Sequence, residues 1–305
     1  MNQQAAFFAG PFRPRHRRNA NGYWPYLLLS PFLLVFILFF VAPVVIGAYD
    51  SLFRQGMVDG RVFVGLDNYA RIFADEHFWG GMIRVLQFGA IFIPATIGAA
   101  LLFALAIDVE AAAGGWLFRL VFFLPYIIPG VVATVLWGFL YGNIFGPFNQ
   151  VAGALGIGPI DFLGEDNVLL AIGNIDIWLY VGYDMIVFLA ALQAVPREHT
   201  EAAILDGASR WQVAWRIKAP QIAPVLSVVV IFSIIGTLQL FTEPRVLQAS
   251  SPDVIGRDFV PNLYLYSLAA TGQQFNYVAA MSFVLAAVVL LLAAAYGLVT
   301  RGRRS

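Results

Sequence analysis

Asp176, Tyr180, Tyr183 and Asp184 are the polar side chains best placed to do chemistry inside an otherwise apolar stretch. Their spacing of i, i+4, i+7 and i+8 puts them close to one face of an α-helix. A carboxylate within a membrane-spanning helix costs roughly 3 kcal/mol on insertion scales, so it faces a bundle interior or water. Carboxylates beside aromatic rings suit sugars: the acid accepts from hydroxyls and the ring covers the apolar face of the sugar. A second reading stays open, with Asp176 near the outer interface and Asp184 pairing with another helix as structural glue. Gln239, Thr242 and Glu243 form a second, weaker polar set. The residues expected to line a path are Asp176, Tyr180, Asp184 and Gln239.

Other chemistries lack their residues. His16, His77 and His199 are scattered, without metal-ligand spacing or a His-Glu-x-x-His pattern, and read as isolated surface groups. The absence of cysteine excludes disulfides, thiol catalysis and cysteine metal sites. Gly-x-Ser-x-Gly is absent, and no serine has a readable His and Asp partner. A phosphate-binding Gly-x-x-x-x-Gly-Lys-Ser/Thr loop needs a lysine, and the single lysine, Lys218, has no such glycines before it. No metal site, no catalytic residue and no nucleic-acid partner is therefore expected, and an intramembrane enzyme is poorly supported.

The elements that must position the polar set are transmembrane helices. The 305 residues are 60% hydrophobic and only 12% charged, too little charge for an ordinary soluble domain. A span needs roughly 20 mostly apolar residues. Six runs qualify: about 26–48, 83–107, 117–141, 168–194, 222–242 and 277–299. They are continuous rather than alternating, which favours helices over a barrel. Pro31, Pro43, Pro94, Pro125 and Pro129 lie in or near them, where neighbouring helices re-satisfy the freed backbone groups. The first run exceeds the apolar core of a cleaved signal and reads as a retained span. The expected fold class is an all-α membrane protein, with a tail at 1–25, a six-span domain at 26–299 and a tail at 300–305. The connections of about 49–82, 142–167 and 243–276 should hold short helices and ordered turns.

Orientation follows from arginine and lysine in the connections. Arg13, Arg15, Arg17 and Arg18 precede the first run; Arg197, Arg210, Arg216 and Lys218 lie in 195–221; Arg301, Arg303 and Arg304 close the chain. Arg119 joins them. Fewer, namely Arg54, Arg61, Arg71, Arg84, Arg245 and Arg257, fall on the other side, where 142–167 carries Asp161, Glu165 and Asp166. Both termini and the loop 195–221 are expected to be cytoplasmic.

That loop is well punctuated. Pro196 suits the first position of a helix. Gly207 is placed to stop that helix in a left-handed turn. Ser209 followed by Gln212 fits a capping box. In the helix it would start, Trp211, Ala214, Trp215 and Lys218 fall on one face, and Pro220 and Pro224 lead onwards. A helical connector with an interfacial tryptophan anchor is one reading.

The residues Glu201-Ala202-Ala203, then Asp206-Gly207-Ala208, with Ser209, Trp211 and Trp215 following, also resemble the EAA loop. That loop marks permease subunits of binding-protein-dependent ABC importers. Further pieces resemble the same family: Gly65-Leu66-Asp67-Asn68-Tyr69, Phe118-Arg119 with Leu124-Pro125 and Pro129, Asn149 after Gly146, Leu189-Ala190 with Leu192-Gln193 and Val195-Pro196, and Tyr264, Tyr266 and Tyr277-Val278-Ala279-Ala280. Their order resembles the carbohydrate-type branch, maltose- and multiple-sugar-like. That branch often carries Thr-x-Gly-Gly-Pro after the fifth span, where this chain reads Leu247-Gln248-Ala249-Ser250-Ser251-Pro252-Asp253.

The resemblance implies a six-span permease bundle in a bacterial or archaeal cytoplasmic membrane. Its partners would be a second homologous permease, two ATPase subunits and an extracytoplasmic solute-binding protein, within membrane lipid. No cofactor would sit in this chain; ATP and Mg would be bound by the ATPase subunits. Glu201, Ala202, Ala203, Asp206, Gly207, Ser209, Trp211 and Trp215 would form the coupling helices that dock on an ATPase. Alternatives are an importer of another solute, such as glycerol phosphate or a polyamine, and a stand-alone secondary transporter. Against the latter, no pair of broken helices recurs in two halves.

Overall fold

A computed structural model of the chain describes residues 23–56, 60–110 and 115–302. Arg13, Arg15, Arg17, Arg18, Arg303, Arg304 and His16 lie outside the described residues. The chain divides into two compact units, one ending at Tyr49 and the other beginning at Asp50.

The first unit is built on an apolar helix. Trp24–Phe36 passes through a π-turn, Ile37–Val41, into Ala42–Asp50. In that turn the Ala42 amide reaches the Ile37 carbonyl. Pro31 lies inside the helix, and Phe32, Phe36 and Phe40 stack at four-residue intervals, with centroids 5.9 and 5.5 Å apart.

The second unit is centred on two long helices, Glu76–Glu110 and Val168–Gln193, which pack along each other. Phe88, Phe92, Ile172 and Ile175 fill one apolar cluster. Ala100, Ala104, Leu105, Met185, Phe188 and Leu192 fill a second, nearer the Glu201 end. Against Val168–Gln193 lies Gly115–Ile127. Gly182 permits this contact, because a Cβ there would overlap the Phe122 carbonyl. Ala223–Leu238, the short helix Thr242–Leu247 and the closing helix Phe275–Gly302 complete the bundle. Among the described residues, five helices are long and apolar enough to cross a membrane, or six if one bent pair is a single span.

That bent pair lies on the span expected at about 117–141 and breaks it into two helices. Gly115–Ile127 and Gly130–Leu140 meet at 98°. Pro129 supplies no amide and keeps Ile128 out of the α region. The Ile128 amide turns back to the Pro125 carbonyl at 3.0 Å, and Pro129 becomes the cap of the next helix. The second half packs against Thr242–Leu247. A two-stranded antiparallel hairpin, Phe53–Gly56 with Gly60–Phe63, adds to the short helices and turns expected of 49–82.

Side chains tie together the end of the bundle opposite Glu201. Asn68 is buried and donates to the Ser51 and Phe53 carbonyls, both at 2.8 Å. Asp75 accepts from the Tyr264 and Tyr277 hydroxyls at 3.1 and 2.9 Å. Burial first, and Asp75 second, pushes the Tyr264 hydroxyl up to about 12, so it remains a donor. Asn149 donates to the Gly142 and Ile160 carbonyls and accepts from the Ile160 amide, closing the loop after Gly146. Arginines at this end are held locally. Arg61 pairs with Asp50, Arg54 lies 3.4 Å from Asp67, and Arg84 donates to the Phe259 carbonyl at 2.6 Å.

Candidate functional site

The polar residues singled out by helical spacing line one cavity of about 580 Å³. Its walls come from Glu76–Glu110, Gly115–Ile127, Val168–Gln193, Ala223–Leu238 and the turn leading to Thr242–Leu247. Asp176, Tyr180, Tyr183 and Asp184 project from one helix. Gln239 caps the C-terminus of Ala223–Leu238 and joins them with Thr242 and Glu243.

The geometry adds residues that spacing did not bring to the site. Tyr126 stacks on Tyr183 with centroids 4.7 Å apart, and meets Tyr180 edge-on at 6.2 Å. It stands just before the Pro129 break, so the bend that ends the helix also presents the ring. A tyrosine between two prolines in an apolar run was the available signal. Thr96 and Ser233 also line the cavity. Their hydroxyls donate to the carbonyls of Phe92 and Val229, four residues back, at 2.8 and 2.9 Å. Only their acceptor lone pairs remain for a ligand.

Asp184 and Glu243 are each 7% exposed. Glu243 lies beside the N-terminus of Gly130–Leu140, with its Oε1 3.8 Å from where a Gly130 Cβ would stand. None of the ion pairs between described side chains involves Asp176, Asp184 or Glu243. No lysine, arginine or histidine lies among the described residues lining the cavity. No group of three acidic or histidine side chains among the described residues is close enough to hold a metal ion. The cavity is thus rich in acceptors and aromatic faces, and it suits a ligand that brings many donors.

The second candidate region is the corner after Val168–Gln193. Pro196 caps helix Arg197–Leu205 from outside, one position earlier than expected; its ψ of 133 is extended, not helical. Gly207 has φ +86. The Gly207 amide donates to the Ile204 carbonyl and the Ala208 amide to the Ala203 carbonyl, both at 3.0 Å. This is the two-bond glycine stop of a helix. Ser209 Oγ accepts from the Gln212 amide at 3.3 Å, and Gln212 Oε1 accepts from the Ser209 amide at 2.8 Å. Both halves of the capping box are present.

Glu201, Ala202, Asp206, Gly207, Ser209, Trp211 and Trp215 are exposed, and Ala203 is half-buried. Leu205, at 89% exposed, is an apolar tip that the sequence reading did not single out. Trp211, Ala214, Trp215 and Lys218 do not share one environment. A π-turn at Ala214–Lys218 intervenes; Ala214 is buried and both tryptophans are about half exposed.

Several apolar helices around an acceptor-rich cavity, with a hydrogen-bonded, exposed corner at one end, fit a membrane transport permease. Residues 23–305 match the family described as binding-protein-dependent transport system inner membrane component, and the chain belongs to that family. It is 31% identical to the trehalose/maltose transport system permease protein MalF of Thermococcus litoralis, over 74% of this chain and 77% of that one. It is also 31% identical to the diacetylchitobiose uptake system permease protein NgcF of Streptomyces coelicolor, over 95% and 86%. Its fold is that of a chain in the crystal structure of a bacterial ABC transporter that imports the acidic polysaccharide alginate. The TM-score is 0.81 at 24% identity, over 92% of this chain and 95% of that one.

Proposed function

We propose that this chain is the permease subunit of an ATP-driven ABC importer and forms half of the path for a sugar or oligosaccharide. The observation that carries this reading is the acceptor-rich, tyrosine-walled cavity of Asp176, Tyr180, Asp184, Gln239 and Glu243. Sugar hydroxyls supply the donors, and the Tyr126–Tyr183 stack offers a flat face to a pyranose ring. The relatives named for trehalose/maltose and diacetylchitobiose support it. A polyamine is the second reading, favoured by the same carboxylates. Glycerol phosphate fits less well, because no basic side chain described here lines the cavity.

In this reading the corner of Glu201, Ala202, Ala203, Asp206, Gly207, Ser209, Trp211 and Trp215 docks on a cytoplasmic ATPase subunit. Both termini share that side. Two ATPase subunits hold ATP and Mg, a second homologous permease completes the path, and an extracytoplasmic binding protein delivers the solute. ATP binding draws the ATPases together, the corner moves as one body, and the permeases change the side to which the cavity opens.

Purification in mild detergent from the native host tests the assembly. The expected eluate contains an ATPase, a second multi-span chain and a binding protein, with hydrolysis raised by one sugar-loaded binding protein. This chain alone, without a nucleotide-hydrolysing partner, would return the secondary-transporter reading to the front.

A further inference from the structure

The most enclosed ion pair between described side chains lies away from the cavity. Lys218 Nζ stands 2.7 Å from Asp108 Oδ2, with the two side chains 16% and 9% exposed. The other ion pairs, Arg54–Asp67, Arg61–Asp50 and His77–Asp258, are exposed by more than a third on both partners. Lys218 ends the π-turn that continues from the capping box. Asp108 lies in the last turn of Glu76–Glu110, 110 residues away in sequence. Lys218 is also the chain's one lysine among many arginines. An ammonium is a compact point charge on a flexible stem, and here it meets a single enclosed carboxylate.

The helix that carries Asp108 also carries part of the cavity wall, Phe88, Phe92, Ile93 and Thr96. From Thr96 to Asp108 it is uninterrupted, because its one proline, Pro94, lies before Thr96. At 1.5 Å per residue that segment is a rod of about 18 Å. The corner is also attached to the bundle by buried Val213 and Ala214. Apolar contacts are non-directional and tolerate sliding. An enclosed ion pair holds one geometry, because parting it strands two desolvated charges.

We propose that the Asp108–Lys218 ion pair is the joint that passes displacement of the Gly207 corner to the part of the cavity wall carried by Glu76–Glu110. The two are positioning residues for transport and touch neither nucleotide nor solute. The proposal rests on the coupling role proposed above for the corner.

The test uses the assembled transporter in detergent and needs no solute. Because the chain has no cysteine, Thr96→Cys gives it a single thiol in the cavity wall. Its labelling by a water-soluble maleimide is followed with and without Mg-ATP and vanadate. In the parent the labelling rate is expected to change by about fivefold or more on nucleotide trapping. In Asp108→Asn or Lys218→Met backgrounds the change is expected to vanish while ATP hydrolysis stays within about twofold. The exchange Asp108→Lys with Lys218→Asp, and separately Asp108→Glu, should restore it.

A labelling change that persists in both single variants overturns the proposal. So does joint loss of hydrolysis and labelling that neither charge-preserving variant rescues, which would make the pair a fold anchor only. Failure of the coupling reading looks different. In that case no ATPase co-purifies, or the parent itself does not respond to nucleotide, and this proposal falls with it.

Discussion

Asp184 is the residue on which the reading of the cavity turns. It is buried, lines the cavity, and stands next in sequence to the stacked ring of Tyr183. A hydrogen bond to a charged group contributes about 1.5–3 kcal/mol. Asp184→Asn keeps the shape and one acceptor but loses the charge. Uptake of the sugar found on the binding protein should fall by roughly 10- to 100-fold. Membrane insertion and co-purifying partners should be unchanged. Tyr183→Leu should cost less, about 0.5–1.5 kcal/mol of stacking, and should alter preference among sugars more than rate. Unchanged uptake and preference in both variants would remove this face from the path.

At the scale of elements, the corner was more legible than the cavity. Gly207, Ser209 and Gln212 state their roles through bonds within six residues, so local chemistry was enough. Gly207 meets no other atom where a Cβ would stand, yet its φ of +86 suits only glycine. Gly207→Val therefore strains the backbone alone, by about 1–2 kcal/mol, with no clash. We expect the variant to insert normally and to lose most ATP-driven uptake, read as sugar accumulated per ATP hydrolysed in proteoliposomes. Normal coupling would mean that the corner need not be rigid. In the cavity, Asp176, Tyr180 and Asp184 could be grouped because one helix carries them. Polarity alone singles out Gln239 for the path and Glu243 for a second polar set, but Tyr126 and Thr96 come from other helices, and no local rule says which faces meet. The Asp108–Lys218 pair was hidden for the same reason. The break at Pro129 was not legible because a proline in a span is often absorbed by its neighbours, and here the chain turns instead.

At the scale of the whole molecule, the arginine distribution is the basis of the proposed orientation, which a thiol-free chain makes easy to test. Leu205→Cys places a thiol on the exposed tip of the corner, and Ile144→Cys places one on a residue 79% exposed at the other end. In intact cells an impermeant maleimide should label the Ile144 variant and spare the Leu205 variant. Inverted vesicles should give the reverse, and the opposite pattern would turn the proposed topology over. The number of apolar runs and their helical nature could be read from composition and length alone, since a bilayer sets both. Their mutual packing could not, because lipid-facing and partner-facing leucines look alike in sequence.

The elbow at Ile128–Pro129 also divides the third run's ladder of backbone hydrogen bonds. Both halves touch Val168–Gln193, but only the second packs mainly against Thr242–Leu247. The broken ladder leaves that shared helix as the main tie between them. In the language of amide exchange they should open as two cooperative units in one span, with Gly115–Ile127 exchanging at a different rate from Gly130–Leu140.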